Sequence, residues 1–243
     1  MKNKKVILAA LAIVAVVVGL GAVGHFISAN LNSDKRLDDS ASDLDKLNSI
    51  RTSAESGQAK KRALEEGTDV AVAYLDGEAI YKNEVLYEKE GHAESFTHNQ
   101  IYGDKAMKMK TDEDLIRVIA KRKLMVILTK EVGIEYTWEN AVESERASHE
   151  LTKKRAAEGD ENAIKLLQED YEYYEGLGVT EEEYIVGLGA SRVYYSQLGA
   201  KYALYYSHLS DVNFRAAEYE KHLDEKLREH DFKIVNADLS YDD

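Results

Sequence analysis

A mainly α-helical chain, with one membrane-spanning segment and a short two-stranded β element, is predicted by three features of the sequence. Among 243 residues there is no proline, so the commonest helix breaker is missing, where it normally makes up about 5% of a chain. Residues 6–24 form an uninterrupted apolar run. From Glu181 to Val212 apolar and aromatic residues recur in alternating steps of four and three, the period of a helix-packing seam.

Lys2, Lys4 and Lys5 precede the apolar run, which is long enough to cross a bilayer as a helix with the lysines on the cytoplasmic side. Everything after about Ile27 then lies beyond the membrane, whether residues 1–27 stay as a signal-anchor or are cut as a signal peptide. The length of the run favours a single-pass anchor; Ala22 and Gly24 offer small residues at a cleavage-like spacing, and cleavage would give a secreted protein. With no cysteine in the chain, a lipoprotein anchor and disulfides are both excluded. Residues 28–68 are rich in Ser, Asp, Lys and Ala and read as a polar stalk, helical at most from Asp38 to Glu66. Leu37, Leu44 and Leu47 leave a short coiled-coil stem open there.

The folded domain is expected over 69–243. Val70, Val72 and Tyr74 alternate with Ala71, Ala73 and Leu75 as a short strand, and Asp76-Gly77 supplies the positive φ of a tight reversal. Ile80 packs back and a helix follows. Gly91 to Lys110 is polar and reads as a loop. Asp112 to Val132 carries Leu115, Ile116, Val118, Ile119, Leu124, Met125, Ile127 and Leu128 around much of its circumference and should be the central buried helix, ended by Gly133. A glycine-hydrophobic break followed by a threonine cap then occurs twice, at Gly133 to Glu139 and at Gly178 to Glu183. The second is a full capping box, with Thr180 at N-cap and Glu183 at N3. The long helix from Glu181 to Val212 precedes a closing helix from about Asn213 to His230 and a short strand at Phe232 to Val235.

The stretch Asp76, Gly77, Glu78, Ile80 and Glu84, just after a hydrophobic strand, resembles the opening of the SurA/PrsA-type N-terminal chaperone domain. Tyr81 departs from the pattern, standing where a Thr or Ser helix cap is usual. Glu131 to Glu139 is similar to the family's element after its buried helix. The resemblance implies a membrane-tethered foldase domain that binds unfolded or newly exported polypeptides, in which Phe232 to Val235 pairs beside Val70 to Leu75. Relatives often carry a parvulin isomerase domain; no window here has the room or pattern for it, so an isomerase is a poor reading.

Net charge −13 becomes −16 beyond the anchor once the three lysines are removed, which is not a nucleic-acid-binding balance. No pair of histidines has the i, i+4 spacing of a helical zinc site, and all seven read as surface residues. Gly187 and Gly189 sit inside a helix and serve close approach or bending rather than phosphate binding. No catalytic constellation, metal site or cofactor is predicted. The tyrosines of the second half read as core along the seam. Tyr171, Tyr174, Tyr194, Tyr206 and Phe214 are the candidate lining of a client-holding cradle. Two functions remain: a chaperone-like holder of exported chains acting without ATP, and a dedicated cell-surface scaffold using the same fold.

Overall fold

The computed structural model describes residues 43–102, 108–209 and 216–241. The predicted anchor at 1–27, the first part of the stalk and Phe214 lie outside them. No helix among the described residues is long and apolar enough to cross a membrane.

The elements follow in the order α1 (Asp43–Glu65), β1 (Ala71–Leu75), β2 (Glu78–Tyr81), α2 (Lys82–Tyr102), α3 (Asp112–Glu131), α4 (Trp138–Ala157), α5 (Glu161–Leu177) and α6 (Glu181–Tyr184). A π-helical segment (Ile185–Gly189) then leads into α7 (Ala190–Leu209), α8 (Ala216–Glu229) and β3 (Phe232–Ile234). The chain is therefore mainly helical, as expected, with a small antiparallel sheet of order β2-β1-β3.

The sheet is built on the Asp76-Gly77 turn, where both residues have positive φ, 50° and 83°. That pair of angles matches the twist of two flanking strands. Leu75 pairs with Glu78 and Ala73 with Ile80, while the register shifts between Ala71 and Ala73. The extra residue lets Val72 and Ala73 both be buried. On the other side of β1, Ala73 faces Ile234 and Leu75 faces Phe232, the pairing anticipated for the C-terminal strand. The expected two-stranded element is thus three-stranded, because Glu78–Tyr81 also joins the ladder before α2 begins.

The central helix is α3, as its all-round apolar pattern demanded. Thr111 caps it reciprocally with Asp114, and Leu115, Ile116, Ile119, Ala120, Leu124, Met125 and Leu128 are buried. The sheet, α7 (Leu198, Tyr202, Ala203) and α8 (Tyr219, Leu223, Leu227) close around it in one hydrophobic cluster.

Three expectations are corrected. The stalk reading fails from Asp43 onward: α1 packs against α5 and α2, and Ala63 is fully buried. The loop expected at Gly91 to Lys110 is helical as far as Tyr102, where His92, buried, accepts the Lys110 backbone N–H at 3.0 Å. The long helix after Thr180 is interrupted by its π segment, which shifts the packing stripe so that Ile185 and Gly189, rather than Leu188, are buried.

Candidate binding groove and the buried polar network beneath it

Helices α4 and α5 form an antiparallel hairpin, turned at Gly159 with φ 88° and restarted by Asp160, whose carboxylate accepts from the Asn162 and Ala163 amides. Gly178, at φ 74°, ends α5, and the predicted Thr180 capping box starts α6: the Glu183 amide donates to Thr180 Oγ1 at 3.2 Å and the Thr180 amide to Glu183 Oε2 at 2.7 Å. Between these ends lies a shallow, open groove of about 530 Å³ bordered by Tyr171, Tyr174, Glu175, Val179 and Glu181. Its acidic rim is held in place: Glu181 is ion-paired with Lys153, and the neighbouring Glu182 takes both Arg146 nitrogens at 2.6 and 2.7 Å.

Tyr171 is 47% exposed and meets Tyr174 edge to face, with ring centroids 6.4 Å apart. Ile164, two turns earlier on the same face of α5, is also exposed. Tyr174 is only 4% exposed. It is a wall of the groove rather than the free client contact expected of it, because its ring lies 4.5 Å from that of Tyr184.

Beneath the groove is a polar network that sequence reading did not identify. The Tyr174 hydroxyl is 3.1 Å from His149 Nε2, and His149 lies 3.6 Å from Glu145. Arg192 Nη2 reaches both Glu145 oxygens, at 2.8 and 2.9 Å. Glu145 is 1% exposed. Burial by itself would raise its pKa, but His149 and Arg192 outweigh that and hold the carboxyl below its usual range. On α5, burial pushes Asp170 up to about 6, with Glu145 and Glu169 adding to the rise and His149 and Arg192 opposing it. Burial likewise pushes the Tyr174 hydroxyl far above its ordinary value.

Gly189 explains how the network fits. A Cβ there would lie 2.8 Å from Glu145 Oε1 and 2.9 Å from its Cγ, so the π segment brings bare backbone against the carboxylate. The anticipated close approach at this glycine is therefore to a charged side chain. Aromatic contacts carry the assembly outward: Tyr184 meets Tyr173 edge-on at 6.0 Å, the Tyr173 and Tyr87 hydroxyls are 3.3 Å apart, and Lys60 of α1 sits 5.0 Å from the Tyr173 ring centroid.

The other candidate tyrosines lie elsewhere. Tyr194, half-buried, packs with Tyr136 and Trp138 at 6.2 and 5.8 Å. Tyr206 is stacked on His222 at 4.2 Å and lies 5.9 Å from Tyr219. The four candidates among the described residues, Tyr171, Tyr174, Tyr194 and Tyr206, do not line one cradle. Three histidines depart from the surface positions expected of them: His92 and His149 are buried, and His222 of α8 stacks on Tyr206 and Tyr202 of α7. Among the described residues no cluster of acids and histidines has the arrangement of a metal site.

The residues of the Asp76-Gly77 turn and the segment after it hold the sheet to the helices. Asp76 receives His230 Nδ1 at 2.6 Å and the Asp231 amide at 2.9 Å. Ile80 is fully buried. Glu84 supplies half of the capping box by accepting the Tyr81 amide at 2.8 Å, and Lys123 ion-pairs with both Glu78 and Glu84. No protein-family model, curated protein or solved structure matches the chain.

Proposed function

We propose that the chain is a membrane-tethered, extracytoplasmic chaperone-like protein that holds unfolded or newly exported polypeptides, in the manner of the SurA/PrsA-type chaperone domain its hairpin resembles. The observation that carries this reading is the open groove with Tyr171 exposed in its lining, and Ile164 exposed two turns along the same face of α5. A groove of that depth touches a passing chain without enclosing one ligand. Contacts of this kind contribute about 25 cal/mol per Å² of apolar area before ordering costs are subtracted, so holding is weak and reversible. The network beneath fixes the groove wall, so little is spent on ordering it when a client arrives.

The test follows aggregation and refolding of an unfolded, proline-containing model protein with the full chain reconstituted in lipid nanodiscs. Suppressed aggregation without faster proline-limited refolding is the expected result. Faster refolding would replace the reading with an isomerase. No effect on either would favour the dedicated scaffold.

A further inference from the structure

The two edges of the sheet differ. In an antiparallel ladder, successive residues turn their backbone groups alternately toward and away from the neighbouring strand. On β2 this sends the groups of Ala79 and Tyr81 outward, and side chains close them. Lys123 Nζ donates to the Ala79 carbonyl at 3.1 Å, and Glu84 accepts the Tyr81 amide at 2.8 Å. Both groups come from helices packed against the strand, which covers this edge against strand addition.

Among the described residues no side chain closes the backbone groups of β3 in this way, although Arg117 stands over the Phe232 ring, 5.6 Å from its centroid, and Lys233 lies on the strand. The Asp76 amide donates to the Asp231 carbonyl and the Val235 amide to the Val72 carbonyl, each at 2.9 Å. The backbone groups of Asp231, Lys233 and Val235 therefore face β1 and those of Phe232 and Ile234 face away from it, while the Phe232 and Ile234 side chains pack against the core. The Phe232 amide folds back on the His230 carbonyl at 2.8 Å. That leaves the Ile234 amide and the Phe232 and Ile234 carbonyls on the open side, where no side chain among the described residues closes them.

A groove of about 420 Å³ runs beside this edge, with Leu227, Phe232 and Ile234 as its apolar part. Its carboxylates are already engaged, Glu113 with Arg117 at 2.8 Å and Asp224 with Lys121 at 2.7 Å. Its histidine, His230, is held by Asp76. Arg228 also lines the groove and has no carboxylate partner among the described residues, so the groove has a cation to offer in a chain of net charge −13.

We propose that the outer edge of β3 accepts an added strand: an extended polypeptide segment that lays an apolar side chain over Phe232 and Ile234 and directs a carboxylate to Arg228. Backbone pairing gives such binding its affinity and the groove gives it a preference. The proposal rests on the polypeptide-holding reading and names where, and in what conformation, a client segment is held.

The probe is a fluorescein-labelled nine-residue peptide of alternating valine and threonine with one central glutamate, titrated by anisotropy into the full chain in nanodiscs. Two further peptides carry N-methyl groups on one or the other alternate set of amides. The expected result is loss of affinity of about tenfold or more from one methylated set and little change from the other. Ile234→Pro, which removes an amide that β1 does not use, should abolish binding. Arg228→Glu should weaken the glutamate peptide and favour its lysine counterpart.

Equal tolerance of both methylated sets overturns the proposal. So does a concentration-dependent dimer of the unmodified chain that Ile234→Pro dissolves, since the edge would then belong to a second copy. If aggregation is still suppressed while the peptide fails to bind, the edge proposal falls and the holding function stands; if suppression fails as well, both fall.

Discussion

The Glu145–Arg192 pair shows how one carboxylate sets the local sequence around it. Glu145 is buried, Arg192 is about a quarter exposed, and His149 sits one turn from Glu145 on α4. Taking two charges from water is costly, so the pair's worth lies less in its attraction than in what happens when one partner leaves. Arg192→Met leaves Glu145 buried with only His149 beside it. The expected loss is about 3 kcal/mol, read as a lower denaturant midpoint with an unchanged slope; a loss within about 0.5 kcal/mol would mean that the guanidinium is replaceable by water. Gly189→Ala tests the same site by volume. Its Cβ meets a carboxylate that Arg192 holds still, so overpacking should cost about 1–3 kcal/mol. In the Arg192→Met background the carboxylate is free to move and the penalty should shrink, a coupling that a double-mutant cycle measures.

Among the elements, legibility followed the strength of local chemistry. The Asp76-Gly77 turn, the Thr180 capping box, the C-terminal strand and the buried α3 were all readable, since each depends on residues close in sequence or on a dense apolar pattern. The helix at α1 was within the range the sequence allows, but its docking was not legible, because its contact with α5 is made by absence of side chains. Gly57 and Gly176 face each other, and a Cβ on Gly57 would strike the Tyr173 carbonyl and come within 3.0 Å of the Leu177 amide nitrogen. A polar helix that docks through a glycine shows no apolar stripe. The network at Glu145 was missed for a related reason: its members lie on α4, α5 and α7, far apart in sequence, and only the fold brings them together. Gly57→Ala should therefore release α1 while the cluster around α3 stays folded. Hydrogen exchange would report this as lost protection in Asp43–Glu65 alone, and retained protection there would mean that the two backbones separate and repack.

For the molecule as a whole, net charge and one buried acid both cost stability as pH rises, and salt can separate them. At −13 the chain repels itself near neutral pH. Asp76, Asp114 and Glu145 have pKa values held below the ordinary range. Their stabilisation is present above about pH 4 and is lost as pH falls through their folded-state values. Asp170 runs the other way: between about pH 4 and 6 the folded state holds a proton that the unfolded chain has given up, so stability falls as pH rises through that window. His92 and His222, with pKa values lowered first by burial, cost stability as pH falls below about 6.5 and overlap the Asp170 window. The informative quantity is therefore a difference between two proteins. Asp170→Asn should match the unmodified chain near pH 4 and exceed it at pH 8 by on the order of 2 kcal/mol. Salt distinguishes the causes, because exposed charges are screened beyond about 8 Å at physiological ionic strength and a desolvated carboxylate is screened much less. Added salt should raise the thermal midpoint of both proteins at pH 8 and leave the gap between them. A gap that closes with salt would trace the effect to surface repulsion instead of to the burial of Asp170 beside Glu145.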